Sequence, residues 1–235
     1  MTFAANQAFH NQMVDRLVAA RAQSEVVLLV DPFHSLGQAV CRQLARERLR
    51  PVVVSCDPAR GEAFCVRMAI EGFSIPHRTI HMDFPDCETR LGEDLTKVYG
   101  GLRGIVSFFQ PIRRQSHWLD LPIIVADALL RRAVNQRLRL LKAMAPTLGK
   151  GGFLLDVVMG VANTEGDPVV AVEGMSARLW DGLLAGELER RGILVRRSYT
   201  RFTVKPGETG FRKDAERVLE EFHRCLKHTR QKETG

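Results

Sequence analysis

Six short apolar-rich runs recur along the chain and restrict what it can fold into: 26–30 (VVLLV), 51–55 (PVVVS), 78–82 (RTIHM), 104–109 (GIVSFF), 152–158 (GFLLDVV) and 193–199 (ILVRRSY). Between them lie helical patterns at about 36–48, 60–72, 86–99, 122–145 and 170–191. A strand whose apolar residues run on without alternation has no solvent face, so it must be covered on both sides. Such strands alternating with helices of ten or more residues predict an α/β fold, a doubly wound parallel sheet with helices on both faces. No repeat, low-complexity run or Pro/Gly linker divides the 235 residues, which predicts a single domain over 1–235. Two amphipathic terminal helices are expected as additions, at about 3–20 and 211–229. In the second, Phe211, Ala215, Val218, Leu219, Phe222 and Leu226 recur at helical spacing.

Several classes of function lose support. The five cysteines (Cys41, Cys56, Cys65, Cys87, Cys225) include no Cys-x-x-Cys pair, and with the seven histidines they form no zinc spacing. No disulfide framework and no metal site are expected, and a reduced, cytoplasmic setting fits. No run approaches the ~20 apolar residues that cross a bilayer, so no membrane partner is expected. The net charge of +7 comes from basic residues scattered along the whole chain. That dispersion discriminates poorly among nucleic acid, an acidic partner subunit, an anionic substrate such as a coenzyme A thioester and a merely arginine-rich proteome, the last being the favoured reading. Nucleic acid is disfavoured, because no basic stripe, zinc finger or RNP-like aromatic motif accompanies the charge.

The first strand, Val26 to Val30, runs through a short loop into a helix with Leu36, Val40 and Leu44 on one side. In dinucleotide-binding folds this turn is glycine-rich, so that backbone N–H groups at the helix start can reach a pyrophosphate. Here Asp31 and Pro32 open the turn instead.

Further landmarks follow in order. They are "MDFPD" (82–86) after the third run, "YGGLRGIVSFF" (99–109) leading into the fourth, "AVNQRLRLLKAMAP" (133–146) on a long helix, and "ELERRGILVR" (187–196) entering the sixth. Over about residues 25–200 this series resembles the short-chain dehydrogenase/reductase family, whose fold is Rossmann-type. The resemblance implies an adenine contact at Asp83 and an active-site asparagine at Asn135.

Where that family carries its chemistry, this chain departs from it. Aligned on Gly37, the family's Thr-Gly-x-x-x-Gly-x-Gly becomes Val30-Asp31-Pro32-Phe33-His34-Ser35-Leu36-Gly37, with Asp31 and Ser35 in place of two glycines. Pro32 has no backbone donor, and Phe33 and His34 add bulk. Were Asp31 to face a pyrophosphate, one pair of charges at ~4 Å and an effective dielectric of ~20 would repel by about 4 kcal/mol. That is about a thousandfold in affinity. After the fourth strand, the family's small Asn-Asn-Ala-Gly turn is replaced by Ser107, Phe108, Phe109 and Gln110, two phenyl rings where adenine would lie. Asp57, which follows the second strand, reads as a turn residue rather than a ribose-binding acid.

The catalytic set goes the same way. Met159 stands for the serine, and Val172 and Ser176 stand for the tyrosine and lysine of Tyr-x-x-x-Lys. None of them can move the proton that accompanies hydride transfer, a loss of at least 10²–10⁴ in rate. Only Asn135 remains of that set. The expectation is a chain that binds no cofactor and performs no chemistry.

Members of the family pair through two long helices, which here resemble 122–145 and 170–191. The first holds Ile123, Ile124, Ala128, Leu130, Val134, Leu138 and Leu141; the second holds Val172, Met175, Leu179, Trp180 and Leu183. Both are too apolar all round for helices covered on one side only. The expected partner is a catalytically active sibling subunit carrying NAD, in a heterodimer or heterotetramer, with homodimerisation as a milder form. Other readings stay open. One is a stand-alone regulator or nucleic-acid binder. Another is an enzyme with a relocated site using Asp156 with His34 or His117.

Overall fold

A computed structural model describes residues 25–80, 86–109, 122–131, 137–159, 185–200 and 209–233. Its strands are β1 (Val26–Val30), β2 (Arg50–Ser55), β3 (His77–Thr79), β4 (Leu102–Phe109), β5 (Leu148–Met159) and β6 (Leu194–Thr200). All neighbours pair in parallel, in the order β3-β2-β1-β4-β5-β6. The helices are α1 (Ser35–Arg46), α2 (Pro58–Ile70), α3 (Cys87–Tyr99), α4 (Ile123–Leu130), α5 (Arg137–Met144), α6 (Gly186–Arg190) and α7 (Thr209–Glu233). This is the doubly wound α/β sheet that the apolar runs require.

The four inner strands, β1, β2, β4 and β5, each contribute to two cores because successive side chains point to opposite faces. Val27, Leu29, Val53, Val106, Phe108, Phe153, Leu155 and Val157 pack beneath α1, α2 and α7. Val26, Leu28, Val30, Val52, Val54, Ile105, Leu154 and Val195 pack beneath α3, α5 and α6. The inner strands are buried on both faces, which is why their sequences do not alternate, whereas the edge strands β3 and β6 keep exposed positions.

Two expectations shift. The third strand begins at His77 and ends at Thr79, not at 82; the Ile80 N–H still donates to the Ser55 carbonyl at 2.8 Å, and 81–82 lie outside the described residues. The fifth begins at Leu148, ahead of its glycine-rich start, because Leu148 pairs with Leu102 before a register break ahead of Gly104 and Phe153. The C-terminal helix is more than an addition. Ala215, Val218, Phe222, Cys225 and Leu226 enter the first core, and the edge of Phe222 meets the Phe153 ring at 5.8 Å between centroids. The reason is coverage: without α7, the side chains of Phe153, Leu155 and Val157 would lie open on the face that α1 and α2 leave bare. The N-terminal stretch 3–20 lies outside the described residues.

Candidate functional site

The strand order reverses at β1, which is flanked by β2 on one side and β4 on the other. Doubly wound folds place ligands in the crevice beyond the carboxyl ends of the strands at such a point. Here that region is built from the loop 31–34, the start of α1 and the end of β4 at Ser107 and Phe108.

The turn keeps its glycine-like backbone without glycine. Asp31 has φ 52°, in the left-handed region, and its N–H donates to the Val54 carbonyl at 3.1 Å. Aspartate tolerates this conformation better than most residues. Pro32 is buried, and its carbonyl accepts from the His34 N–H at 2.8 Å. His34 then caps α1: its Nδ1 accepts from the Gly37 N–H at 3.1 Å. A donor that a phosphate would use is thereby taken by a side chain of the turn itself.

Rings fill the surrounding space. The His34 imidazole meets the Phe108 ring edge-on at 4.9 Å, and Phe33 meets Phe64 at 6.0 Å. Phe108 is 4% exposed. The Arg60 guanidinium lies 5.0 Å from the Phe33 centroid, a cation–π contact that closes the turn from the α2 side. Burial first, and the Arg60 charge second, push the His34 imidazole down to about 3. The ring is therefore neutral, as an accepting Nδ1 requires.

Gly37 survives for a packing reason. A Cβ there would stand 2.2 Å from the Pro32 carbonyl oxygen, a backbone atom that moves only with the turn. Gly37→Ala is expected to destabilise the fold by about 2 kcal/mol, within the range for overpacking. Urea unfolding checks this; an unchanged midpoint would mean the turn yields freely.

A pyrophosphate entering this turn would have to displace His34 from Gly37, move the Phe33 and His34 rings and approach Asp31. The residues do not fit that group as they stand. Ser35, at the second glycine position, begins α1 and is half-buried.

At the end of β2, Asp57 is the N-cap of α2, its carboxylate accepting from the Arg60 N–H at 3.0 Å. Beside it the Ser55 hydroxyl lies 3.0 Å from His77 Nε2 and donates to the Asp57 carbonyl at 2.8 Å. Having spent its proton on Asp57, Ser55 accepts from His77, so His77 cannot act as its base. Ser55 is also only 1% exposed. The pair ties β2 to β3 and is not a nucleophile with its base.

The relocated acid/base pair of Asp156 with His34 is overturned. Asp156 is in register with Ser107 and Arg197, one residue out of phase with Phe108, so it projects from the opposite face to the His34–Phe108 contact. Its partner is Arg197, Nε to Oδ2 at 3.0 Å, with the two side chains 1% and 11% exposed for Asp156 and Arg197. Sequence reasoning missed this ion pair, although an aspartate inside LLDVV and an arginine inside LVRRSY were the signal for it.

Met159 is the last residue of β5, paired with Thr200, and Phe109 is the last of β4, paired with Val158; their side chains lie outside the described residues. Asp83, His117, Asn135, Val172 and Ser176 lie wholly outside them. Of 122–145, α4, α5 and a 3₁₀ turn at Ala145–Thr147 are described; of 170–191, only α6 and its flanking residues. On α4, Ile123 and Ile124 are 84% and 75% exposed. Among the described residues, no group of three or more His, Cys, Asp or Glu forms a metal site, and no helix is long and apolar enough to cross a membrane.

No protein-family profile and no curated protein matches the chain. Solved structures do. A metagenomic short-chain oxidoreductase in complex with NADP shares 16% identity at a TM-score of 0.65, over 87% of this chain and 90% of that one. A short-chain dehydrogenase from Mycobacterium smegmatis shares 15% at 0.64, over 80% and 83%. A short-chain dehydrogenase/reductase from Serratia marcescens shares 19% at 0.60, over 74% and 73%. The chain has the fold of these oxidoreductases.

Proposed function

We propose that this chain, built on the fold of the short-chain dehydrogenases, is the non-catalytic, structural subunit of a heteromeric NAD-dependent dehydrogenase acting on a β-hydroxyacyl-CoA. The observation that carries the reading is the self-closed turn: His34 caps the donor at Gly37 and, with Phe33 and Phe108, fills the space at the switch point. The sequence supports it with Met159, Val172 and Ser176 at the serine, tyrosine and lysine positions. Losses confined to the chemistry, beside strands and helices that remain apolar, describe a scaffold retained for assembly.

Among heteromeric members of the family, the chain resembles the inactive subunit of (2S)-[(R)-hydroxy(phenyl)methyl]succinyl-CoA dehydrogenase of anaerobic toluene degradation. In that reading the sibling binds NAD and oxidises the alcohol to the 2-benzoylsuccinyl-CoA ketone. This chain binds no cofactor and supplies an interface. The exposed Ile123 and Ile124 of α4 support such an interface, since two large apolar neighbours in water favour a cover.

Co-expression with a sibling that keeps its glycines and Tyr-x-x-x-Lys is the test. The two chains should co-purify at a size above either one alone, and Ile123→Asp with Ile124→Asp should weaken assembly at least tenfold. Titration of the isolated chain with NAD should show no micromolar binding. A chain that stays alone beside a fully active sibling, or one that binds NAD at micromolar levels, overturns the proposal.

A further inference from the structure

The sheet ends at β6, the last strand in its order, and among the described residues no strand lies beyond it. The other edge strand, β3, has three residues and offers a second chain little to pair with. β6 has seven, Leu194 to Thr200. The backbone groups of alternate residues on a strand point to opposite sides, so a strand paired on one side turns half of them outward. Proteins cover or blunt an edge of this length, because it templates pairing with another chain.

Two arginines show what this edge is suited to. The Arg196 guanidinium donates to the Val195 carbonyl at 3.4 Å, and the Arg217 guanidinium, from α7, donates to the Tyr199 carbonyl at 3.4 Å. Val195 and Tyr199 are four residues apart, so their carbonyls point the same way. Both arginines are exposed, and neither meets a carboxylate among the described residues. Their basic neighbours differ: Arg197 is held by Asp156 and Arg224 by Glu221. Leu194 packs against the first core and Val195 lies in the second. Arg196 therefore stands on the α7 face, and Tyr199, 48% exposed, on the opposite one.

We propose that the outer edge of β6 takes an extended segment of a partner protein as a further strand, with acidic side chains on the α7 face and apolar ones beside Val195 and Tyr199. Backbone pairing supplies the affinity of such an addition and alternate side chains supply its specificity. Carboxylates on the added strand would draw Arg196 and Arg217 from neutral carbonyls to charged acceptors, which form the stronger bond. The Val195 and Tyr199 carbonyls are thereby released to the new ladder. A second copy of this chain fits poorly, because edge-to-edge pairing would bring another Arg196 and Arg217 to the same row, and like charges across strands repel. The proposal does not depend on a sibling dehydrogenase, and its test uses this chain alone.

The probe is fluorescent acetyl-Glu-Val-Glu-Val-Glu-Val-Glu-amide, titrated with the full chain and read by anisotropy. It should bind about tenfold tighter than the same peptide with lysine in place of glutamate. Arg196→Glu combined with Arg217→Glu should reverse that order while circular dichroism stays unchanged. Pairing through the backbone is read on the wild type: N-methylation of one alternate set of peptide nitrogens should abolish binding, and of the other set should spare it. Equal affinity for the acidic and basic peptides, no binding at millimolar concentration, or methylated sets that behave alike overturns the proposal. So does a native dimer that the double variant turns into a monomer, because a second copy would then hold the edge.

Discussion

Asp156→Leu is expected to cost about 3–5 kcal/mol of unfolding free energy, and adding Arg197→Met should return most of it. The two groups sit on adjacent strands, in register and 3.0 Å apart, with Asp156 1% and Arg197 11% exposed. Removing the carboxylate leaves a guanidinium charge inside the sheet without that partner, and such breaks cost about 3–5 kcal/mol in buried pairs. Replacing both ions by apolar groups of similar volume is often neutral or stabilising, because two desolvation penalties vanish together. Against a total stability of roughly 5–15 kcal/mol, the single change is severe. Denaturant titration of wild type and the two variants checks it. A single variant within about 1 kcal/mol of wild type would show that this pair does not balance the interior of the sheet.

The second large effect is acid sensitivity centred on the closed turn. In the folded chain His34 is neutral, its ring pushed down to about 3 by burial and then by the Arg60 charge. In the unfolded chain its value returns to about 6.5. Between these limits the unfolded state binds a proton that the folded state does not, so stability rises with pH. The contribution is complete above about pH 6.5 and is lost progressively as pH falls toward 3. At pH 4 the loss is about 3 kcal/mol. His34→Asn is the informative variant, because asparagine caps a helix as well as any residue and has no proton to take up in this range. Its stability should fall less steeply than wild type between pH 6.5 and 4, the difference approaching about 3 kcal/mol. Parallel curves would show that the imidazole is charged in the folded state, contrary to its role as acceptor for Gly37.

Both effects lie in positions that the sequence displays without interpreting. Asp156 stands out as a charge within LLDVV, yet which residue neutralises it depends on β6 lying beside β5 in a register that sets Asp156 beside Arg197. His34 reads as bulk in a former glycine turn. Its capping of Gly37 is local, three residues apart, but its edge contact with Phe108 needs β1 and β4 to be neighbours, although they are more than seventy residues apart in sequence. Asp57 was legible as a turn residue, because an aspartate before a proline at a helix start is a local signal.

The architecture itself was written locally. Apolar runs without alternation demand burial on both faces, helical periodicity between them supplies the cover, and the crossover preference then makes the sheet parallel. These rules act within single elements or one strand–helix–strand unit, and so the sequence alone determined the α/β class, the positions of five strands to within a few residues and the amphipathic face of α7. Only the tertiary structure decided what fills the switch point, which charge Asp156 meets and that α7 completes a core. Each of these rests on contacts between segments far apart in the chain, and no short-range pattern encodes which distant side chain will arrive.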